Sequence, residues 1–338
     1  MADLRSQAPG FCYKSGSSNG VGMRIFALAT ILGLVAAPAQ AAICHTQNLM
    51  PEFLTFEAQT EGMAPDARAD LFVKVIAERH TDYYTSEEFG DDARLHKSAL
   101  RFFDPSRPIV LGGFGPLTQA HLREVAQEVM PAFDKAQTDF AKTFADFRCD
   151  ADIAFGISLL HFDGHGYNDK SGREKMRFGI DMIALLHQPR DMPAFFAHEL
   201  FHIYHAQVLG VHPEDDDRTW WAMWEEGLAT YVSRQMNAPQ TEQQVLWIPP
   251  DLVAQMEKPG VMKETAKEML ADFDTTEHYS YWFQAGHSAP GLPARAGYFM
   301  GLRMAEELGR TRTLQQLAHL TPAEVEPMAK AFLEEQAH

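Results

Sequence analysis

Apolar residues recur at helical spacing in two segments of the first half of the chain. Residues 64–80 and 117–147 have the period of an amphipathic helix, and Pro131 predicts an interruption of the second one. Two later apolar runs, at 151–160 and 177–186, are short enough to predict buried strands, with a turn-rich loop between them. This half of the chain is therefore predicted to mix helices and strands.

Helical patterns dominate the second half of the chain. Asp191 as the N-cap and Gly210 as the stop predict a helix of roughly five turns. A second helix is predicted to begin at Thr219, and a third covers 293–309. The last begins at 321–324, where TPAE has the spacing of a capping box.

This order of elements predicts an α+β fold. No repeat, low-complexity tract or long linker interrupts residues 42–338, which are therefore expected to form a single catalytic unit. Within it we expect a small mixed α/β lobe over 42–190 and a helical lobe over 191–338. The cleft is expected where the two lobes meet, since binding sites form preferentially at such junctions.

The first 41 residues have the pattern of a secretory signal peptide. From Met23, one arginine is followed by an apolar stretch that is too short to span a membrane. Small residues at Ala39 and Ala41 predict cleavage after Ala41. The residues before Met23 are either an upstream start or a long polar leader. We therefore expect an exported protein, periplasmic or extracellular, without stable membrane insertion.

Export gives the cysteines a structural role. Cys12 would be removed with the signal peptide, which leaves Cys44 and Cys149. Two cysteines in an oxidising compartment favour one disulfide, with two separate buried thiols as the alternative.

The chain is acidic, with a formal net charge of −17. Such a chain repels phosphate backbones and anionic lipids, so nucleic-acid binding is not expected.

The first helix of the second half contains AHELFHIYHAQ, a candidate metal site. His198 and His202 are four residues apart, so they project from one helix face and can hold one ion together. Glu199 is rotated about a quarter turn from His198, where it can accept a proton from a metal-activated water. We interpret His205 as a packing or supporting histidine, with a ligand role as the alternative. Val208 occupies the position where a metzincin would have its third histidine.

A third ligand is needed, because a catalytic zinc site takes three protein ligands and leaves one position for water. Glu226 is the candidate, since it lies in WEEGLATY among tryptophans, where an unpaired buried carboxylate would be costly. Gly227 beside it permits close approach of another helix. Glu225 is the alternative ligand.

HELFH followed by EGLATY resembles the gluzincin clan of metallopeptidases, whose second motif often reads NEGFAxY. GYFMG at 297–301 resembles the tyrosine-x-x-glycine segment of that clan. The order of strand, HELFH, EGLA, a tryptophan-rich loop and AGYFMG is similar to a bacterial group of predicted zinc-dependent proteases without assigned substrates. The resemblance covers about residues 150–338. The GxMEN-like run of the related aminopeptidases is absent from this chain.

The resemblance implies a zincin-like fold and a zinc metallopeptidase acting on peptides or proteins. One Zn²⁺ would be bound by His198, His202 and Glu226, with Glu199 as the general base. Two alternatives remain open: a binding protein that keeps the scaffold without turnover, and a zinc hydrolase of non-peptide amides or esters.

The resemblance also implies that Tyr298 donates a hydrogen bond to the oxyanion of the reaction. His287 and Arg295 are the alternative donors. The strand containing Gly179 to Ala184 is expected to align an extended peptide by strand addition.

Two further polar segments are interpreted without a metal role. His161, Asp163 and His165 suggest a second metal site, but their surroundings are more typical of a polar turn between strands. The acidic run at 213–217 is interpreted as a solvated loop, since it lacks the spaced ligands of a known calcium loop.

Overall fold

This computed structural model describes residues 44–110, 116–169, 173–187, 191–210 and 218–338. The predicted signal peptide and the acidic run at 213–217 lie outside the described residues, so both interpretations stay predictions. Among the described residues, no helix combines the length and the apolarity needed to cross a membrane.

Helices and strands follow one another along the chain as β1 (His45–Asn48), α1 (Met50–Gln59), α2 (Pro65–Val75), a 3₁₀ turn (Ala77–Arg79), α3 (Ser86–Phe89), α4 (Asp92–Phe103), α5 (Gln119–Thr143), β2 (Asp152–Gly156), β3 (Gly164–Asn168), β4 (Glu174–Gly179), α6 (Ile180–Leu186), α7 (Met192–Leu209), α8 (Thr219–Met236), α9 (Glu242–Leu246), α10 (Leu252–Met256), α11 (Val261–Ala271), α12 (Tyr279–Phe283), α13 (Ala296–Gly309), α14 (Leu314–Ala318) and α15 (Pro322–Gln336). The predicted α+β class is confirmed. All the described strands precede residue 180.

The strands form one sheet in the order β1–β2–β4–β3. β2 lies between β1 and β4 and is parallel to both, whereas β3 pairs with β4 in the antiparallel sense. β1 and β3 are therefore the two edges. A disulfide joins Cys44, directly before β1, to Cys149, shortly before β2. This pairing confirms the predicted bridge.

A cluster of phenylalanines packs α5 and α7 against the sheet. Phe155 of β2 and Phe178 of β4 stack with their ring centroids 5.0 Å apart. Phe133 of α5 lies 5.2 Å from Phe155 and 5.3 Å from Phe196 of α7. Each such aromatic pair contributes about 0.5–1.5 kcal/mol beyond its buried area. Because Phe196 is two residues from His198, this packing also fixes the position of the HELFH segment at 198–202.

The predicted interruption of the second helix at Pro131 is wrong. α5 runs through this proline without a break. A proline costs the helix one backbone hydrogen bond. Here Val129 and Phe133, on either side of Pro131, are both fully buried, and their packing outweighs that loss.

The prediction of one strand over 177–186 is wrong for its second half, because β4 ends at Gly179 and the chain continues as α6. Asp181, in the first turn of α6, is fully buried. Its carboxylate accepts hydrogen bonds of 2.7 Å from the backbone N–H groups of Ser158 and Leu160. An apolar run of this length does not distinguish a buried strand from a buried helix.

β3 forms inside the stretch that was predicted to be a loop. It pairs with β4 from Gly164 opposite Phe178 onward. Its sequence, GHGYN, lacks the apolar alternation by which a strand is recognised. The edge strand on this side of the sheet is therefore β3 and not the segment from Gly179 to Ala184.

The predicted helices of the second half are present. α7 has the predicted five turns and ends at Gly210, whose φ of 65° is left-handed. Asp191 occupies the N-cap position, although its side chain makes no capping hydrogen bond. α8 begins at Thr219, and the capping box of Thr321 and Glu324 starts α15.

Candidate metal centre and its cleft

His198 and His202 project from the same face of α7. Their Nε2 atoms are 3.1 Å apart. His198 is almost fully buried, with its ring between Trp247, 5.3 Å away, and Tyr298, 6.3 Å away. These contacts orient the first imidazole toward the second.

Glu226 of α8 completes the cluster. Its Oε2 atom lies 3.2 Å from Nε2 of His198 and 3.7 Å from Nε2 of His202. α8 packs against both α7 and α13, and its backbone meets that of α13 at Gly227 and Gly301. This crossing holds Glu226 toward α7.

The three donor atoms fit one zinc ion. Zinc–nitrogen and zinc–oxygen bonds of about 2.0–2.2 Å in a tetrahedron place neighbouring donors roughly 3.3–3.5 Å apart. The separations of 3.1, 3.2 and 3.7 Å are close to that spacing. Two facing imidazole lone pairs and a carboxylate would repel one another without a cation or a proton between them. His198, His202 and Glu226 are thus able to hold a metal ion.

Glu225, the alternative ligand, lies on the other side of His202. Its Oε1 atom is 3.5 Å from Nδ1 of His202. A carboxylate in this position orients a metal-binding imidazole and raises its basicity. Nδ1 of His198, by contrast, is buried and has no hydrogen-bond partner among the described residues. On its Nδ1 side, His198 is therefore held by ring packing and not by a hydrogen bond.

Burial and charge set the protonation of the cluster. Burial lowers the pKa of His198 to about 4, so its imidazole is neutral. Burial opposes ionisation of Glu226, but His202 and His198 outweigh this and hold the pKa of Glu226 well below its usual range. Burial also acts against charge on His202, yet Glu226 and Glu225 raise its pKa well above the usual value.

Glu199 extends from α7 toward the first residue of β3. A β-carbon on Gly164 would lie 2.7 Å from Cδ of Glu199 and 2.9 Å from each carboxylate oxygen. The carboxylate therefore rests against the backbone of the edge strand, and only glycine leaves room for it. Glu199 is half-buried and lines the same cleft as His198 and His202.

Tyr298 lies in the first turn of α13, with its ring 6.3 Å from the ring of His198. Burial raises the pKa of Tyr298 well above its usual value, and the charge of Glu226 adds to this. Its hydroxyl therefore keeps its proton and can donate a hydrogen bond. Arg295 also lines the cleft, whereas His287 is exposed and is not among the described residues that line it.

His205 does not join the cluster. It is fully buried, with its ring 5.2 Å from Phe201 and 5.7 Å from Trp221. Both of its ring nitrogens lack a hydrogen-bond partner among the described residues. The structure gives it a packing position.

His161, Asp163 and His165 do not converge on one point. His161 and His165 both face Glu88, at 3.3 and 3.5 Å. Asp163 instead accepts a hydrogen bond of 2.9 Å from His187. The structure therefore gives these three residues two separate sets of partners.

The cluster opens into a cleft with a volume of about 680 Å³. The cleft is lined by the start of β3, by α7 and α8, and by segments near Trp247 and Tyr279. Gly164, His187 and Trp247 also line the cleft, although no sequence motif predicts them as parts of the site. In the sequence, Gly164 is marked only as a glycine within a polar stretch, and no pattern marks His187 or Trp247.

The metal-binding interpretation has support from one comparison with known proteins. A family model described as "Putative zinc dependent peptidase (DUF5700)" matches residues 160–330, just over half of the chain. The matched span includes His198, Glu199, His202, Glu226 and Tyr298. No curated protein and no solved structure matches the chain.

Proposed function

The chain belongs to the DUF5700 family, and on that premise we propose that it is an exported zinc peptidase in which Glu199 is the general base. The observation that carries the proposal is the convergence of three donor atoms from His198, His202 and Glu226 beside that carboxylate. The proposal includes one zinc ion, a zincin-like lobe arrangement and a signal peptide over residues 1–41.

A zinc ion, when bound, acidifies water and polarises a carbonyl group. The protein's own residues then move the protons. Glu199 takes the proton of the attacking water and delivers it to the leaving amine. Its contact with Gly164 keeps the carboxylate beside the first residue of β3, where a substrate backbone would pass.

Tyr298 is the proposed donor to the oxyanion. Its raised pKa keeps the hydroxyl protonated, and its ring is packed beside His198. Such a donor contributes about a hundred- to a thousand-fold in rate.

The edge strand β3 is the proposed platform for an extended peptide. Gly164, His165 and Gly166 line the cleft, and β3 has a described strand on one side only. A peptide that adds to this edge gains backbone hydrogen bonds and passes Glu199.

The proposal is tested by zinc content and peptide cleavage with the purified protein. We expect about one equivalent of zinc, because structured three-ligand sites hold zinc tightly. Glu199→Gln is expected to keep the zinc and to lose roughly a hundred- to ten-thousand-fold in kcat on a fluorogenic peptide library. Glu128→Gln, at an exposed position of α5, is the matched control.

Each outcome separates the candidate functions. Less than about half an equivalent of zinc would remove the metal centre from the proposal. If the zinc-loaded protein hydrolyses esters or non-peptide amides but no peptide, it is a zinc hydrolase and not a peptidase. If no substrate is hydrolysed and Glu199→Gln equals wild type in every assay, the scaffold serves binding.

A further inference from the structure

Arg295 places a cation in the cleft, next to the candidate metal centre. Its Cζ atom lies 3.9 Å from the centre of the Tyr298 ring, and that ring is 6.3 Å from the ring of His198. An extended peptide spans roughly 3.3–3.6 Å per residue. The guanidinium is therefore within about three residues of a peptide bond held at His198.

The guanidinium has no ion-pair partner among the residues that the structure describes. Nε of Arg295 is buried and makes no hydrogen bond there. Two other arginines with buried or half-buried side chains, Arg177 and Arg303, do have acidic partners. Arg177 faces Glu88 at 3.6 Å, and Arg303 contacts Glu242 at 2.8 Å. Arg295 differs from them in lacking one.

Three of the acidic groups that line the cleft contact other residues. Asp163 binds His187, and Glu225 faces Nδ1 of His202. Glu226 faces both candidate ligand histidines. Arg295 is thus a cation in the cleft wall for which these carboxylates provide no counter-charge within ion-pair distance.

The backbone also holds Arg295 in an uncommon conformation. Its φ of 60° and ψ of 23° are left-handed, directly before α13 begins. Non-glycine residues adopt this region rarely, and such conformations concentrate at ligand-binding positions. The conformation starts α13 and leaves the side chain stacked on Tyr298.

We propose that Arg295 binds a carboxylate of the substrate, so that the enzyme selects peptides with a carboxylate within about three residues of the scissile bond. This inference rests on the proposed peptidase function. A guanidinium presents paired N–H donors that match the two oxygens of a carboxylate. The carboxylate is either the free C-terminus of a short substrate or the side chain of Asp or Glu.

Matched peptide pairs test the inference with the zinc-loaded full-length protein. One pair has the same sequence with a C-terminal acid or a C-terminal amide, and a second pair has Glu or Gln within three residues of the cleaved bond. We expect wild type to prefer the charged member of one pair by at least about tenfold in kcat/KM, since charged hydrogen bonds contribute roughly 1.5–3 kcal/mol. The pair that shows the preference identifies the source of the carboxylate.

Variants of Arg295 then test whether this residue causes the preference for the charged peptide. Arg295→Gln is expected to abolish it mainly through KM, and Arg295→Lys is expected to retain part of it because the charge remains. Arg310→Gln, at an exposed arginine just after α13, is the matched control and should keep the preference. Circular dichroism and zinc content verify that each variant is folded.

Three results would overturn the inference while the peptidase function stands. In the first, wild type cleaves both members of each pair equally. In the second, the preference survives in Arg295→Gln. In the third, Arg295→Gln lowers kcat equally on all four peptides, which would make Arg295 a donor to the transition state.

A binding measurement keeps the inference separate from turnover. Calorimetry with the Glu199→Gln variant compares an N-acetylated dipeptide acid with its amide, and an N-acetylated Glu amide with its Gln counterpart. Tighter binding of a charged ligand that is lost in the Glu199→Gln, Arg295→Gln double variant supports the carboxylate site even if no peptide is cleaved. Equal binding of charged and neutral ligands contradicts it.

Discussion

A β-carbon on Gly301 of α13 would lie 2.8 Å from the α-carbon of Gly227 of α8. The two helices therefore cross with their backbones in contact. Glu226 precedes one of these glycines, and Tyr298 lies one turn before the other. The crossing thus brings a candidate metal ligand and the proposed oxyanion donor to the same cleft.

Gly227→Ala is expected to separate α8 from α13. The new methyl group would overlap the backbone of Gly301, which cannot yield as a side chain can. We expect a loss of about 3 kcal/mol in the free energy of unfolding, the upper part of the range for overpacking. We also expect weaker zinc binding, because Glu226 moves with its helix. Chemical denaturation and zinc titration measure the two effects.

Gly309→Ala is the control for that prediction. It adds a methyl group to α13, the partner helix, at a position where the neighbouring atoms belong to the outer part of the Tyr231 side chain. This side chain can move, and alanine favours a helix by about 1 kcal/mol over glycine. Equal destabilisation by both variants would show that the helix crossing has no special role.

Gly164→Ala is expected to affect catalysis more than stability. Its methyl group would lie 2.7 Å from Cδ of Glu199, so the carboxylate must shift. A displacement of about 1 Å in a reacting group costs on the order of a hundred-fold in rate. We expect kcat to fall by about that factor, with zinc content and melting temperature close to those of wild type.

A double-mutant cycle checks the reason for the loss. If Gly164→Ala acts through Glu199, it should have little further effect in a Glu199→Gln background. Additive losses in the double variant would instead place its effect on substrate binding along β3.

Glu226→Gln and Glu225→Gln should differ in their effect on zinc. Glu226 offers its oxygen to both Nε2 atoms, whereas Glu225 faces Nδ1 of His202. Loss of a carboxylate that only orients a ligand typically costs 10–100-fold in metal affinity. We therefore expect Glu225→Gln to weaken zinc binding within that range and Glu226→Gln to weaken it more. Competition with a chelator of known affinity measures both, and the reverse order would identify Glu225 as the ligand.

The sequence predicts those parts of the site that depend on local spacing. His198 and His202 face one way because four residues make about one helical turn. The meeting of Glu226 with them depends on how α7, α8 and α13 pack, and Gly227 is the only local sign of that packing. For this reason the sequence suggests Glu226 as the third ligand but leaves Glu225 as an alternative.

The contribution of β3 was beyond the sequence patterns. GHGYN has no apolar alternation, and its strand exists because β4 provides the pairing. The contact of Gly164 with Glu199 follows from that pairing. Likewise, the apolar run after Gly179 has the composition of a strand, but it forms the helix α6. The buried Asp181 in the first turn of this helix accepts hydrogen bonds from Ser158 and Leu160, which the local sequence does not predict.

His205 makes a separate contribution, through the pH dependence of stability. Burial lowers its pKa to about 3, and the nearby His202 acts in the same direction. In the unfolded chain a histidine has a pKa near 6.5. Between these two values the unfolded state therefore binds a proton that the folded state does not. Stability consequently falls as the pH is lowered from about 6.5, by up to roughly 1.4 kcal/mol per pH unit.

His205→Phe should remove this dependence. The phenylalanine can keep the ring contacts with Phe201 and Trp221, and it leaves no buried nitrogen without a partner. We expect the variant to gain stability over wild type as the pH falls from 6.5 to 5, with a nearly constant difference above about pH 7.5. Denaturant unfolding at a series of pH values measures this difference. A difference that stays the same at every pH, or a loss of zinc in the variant, would show that His205 is more than a buried neutral ring.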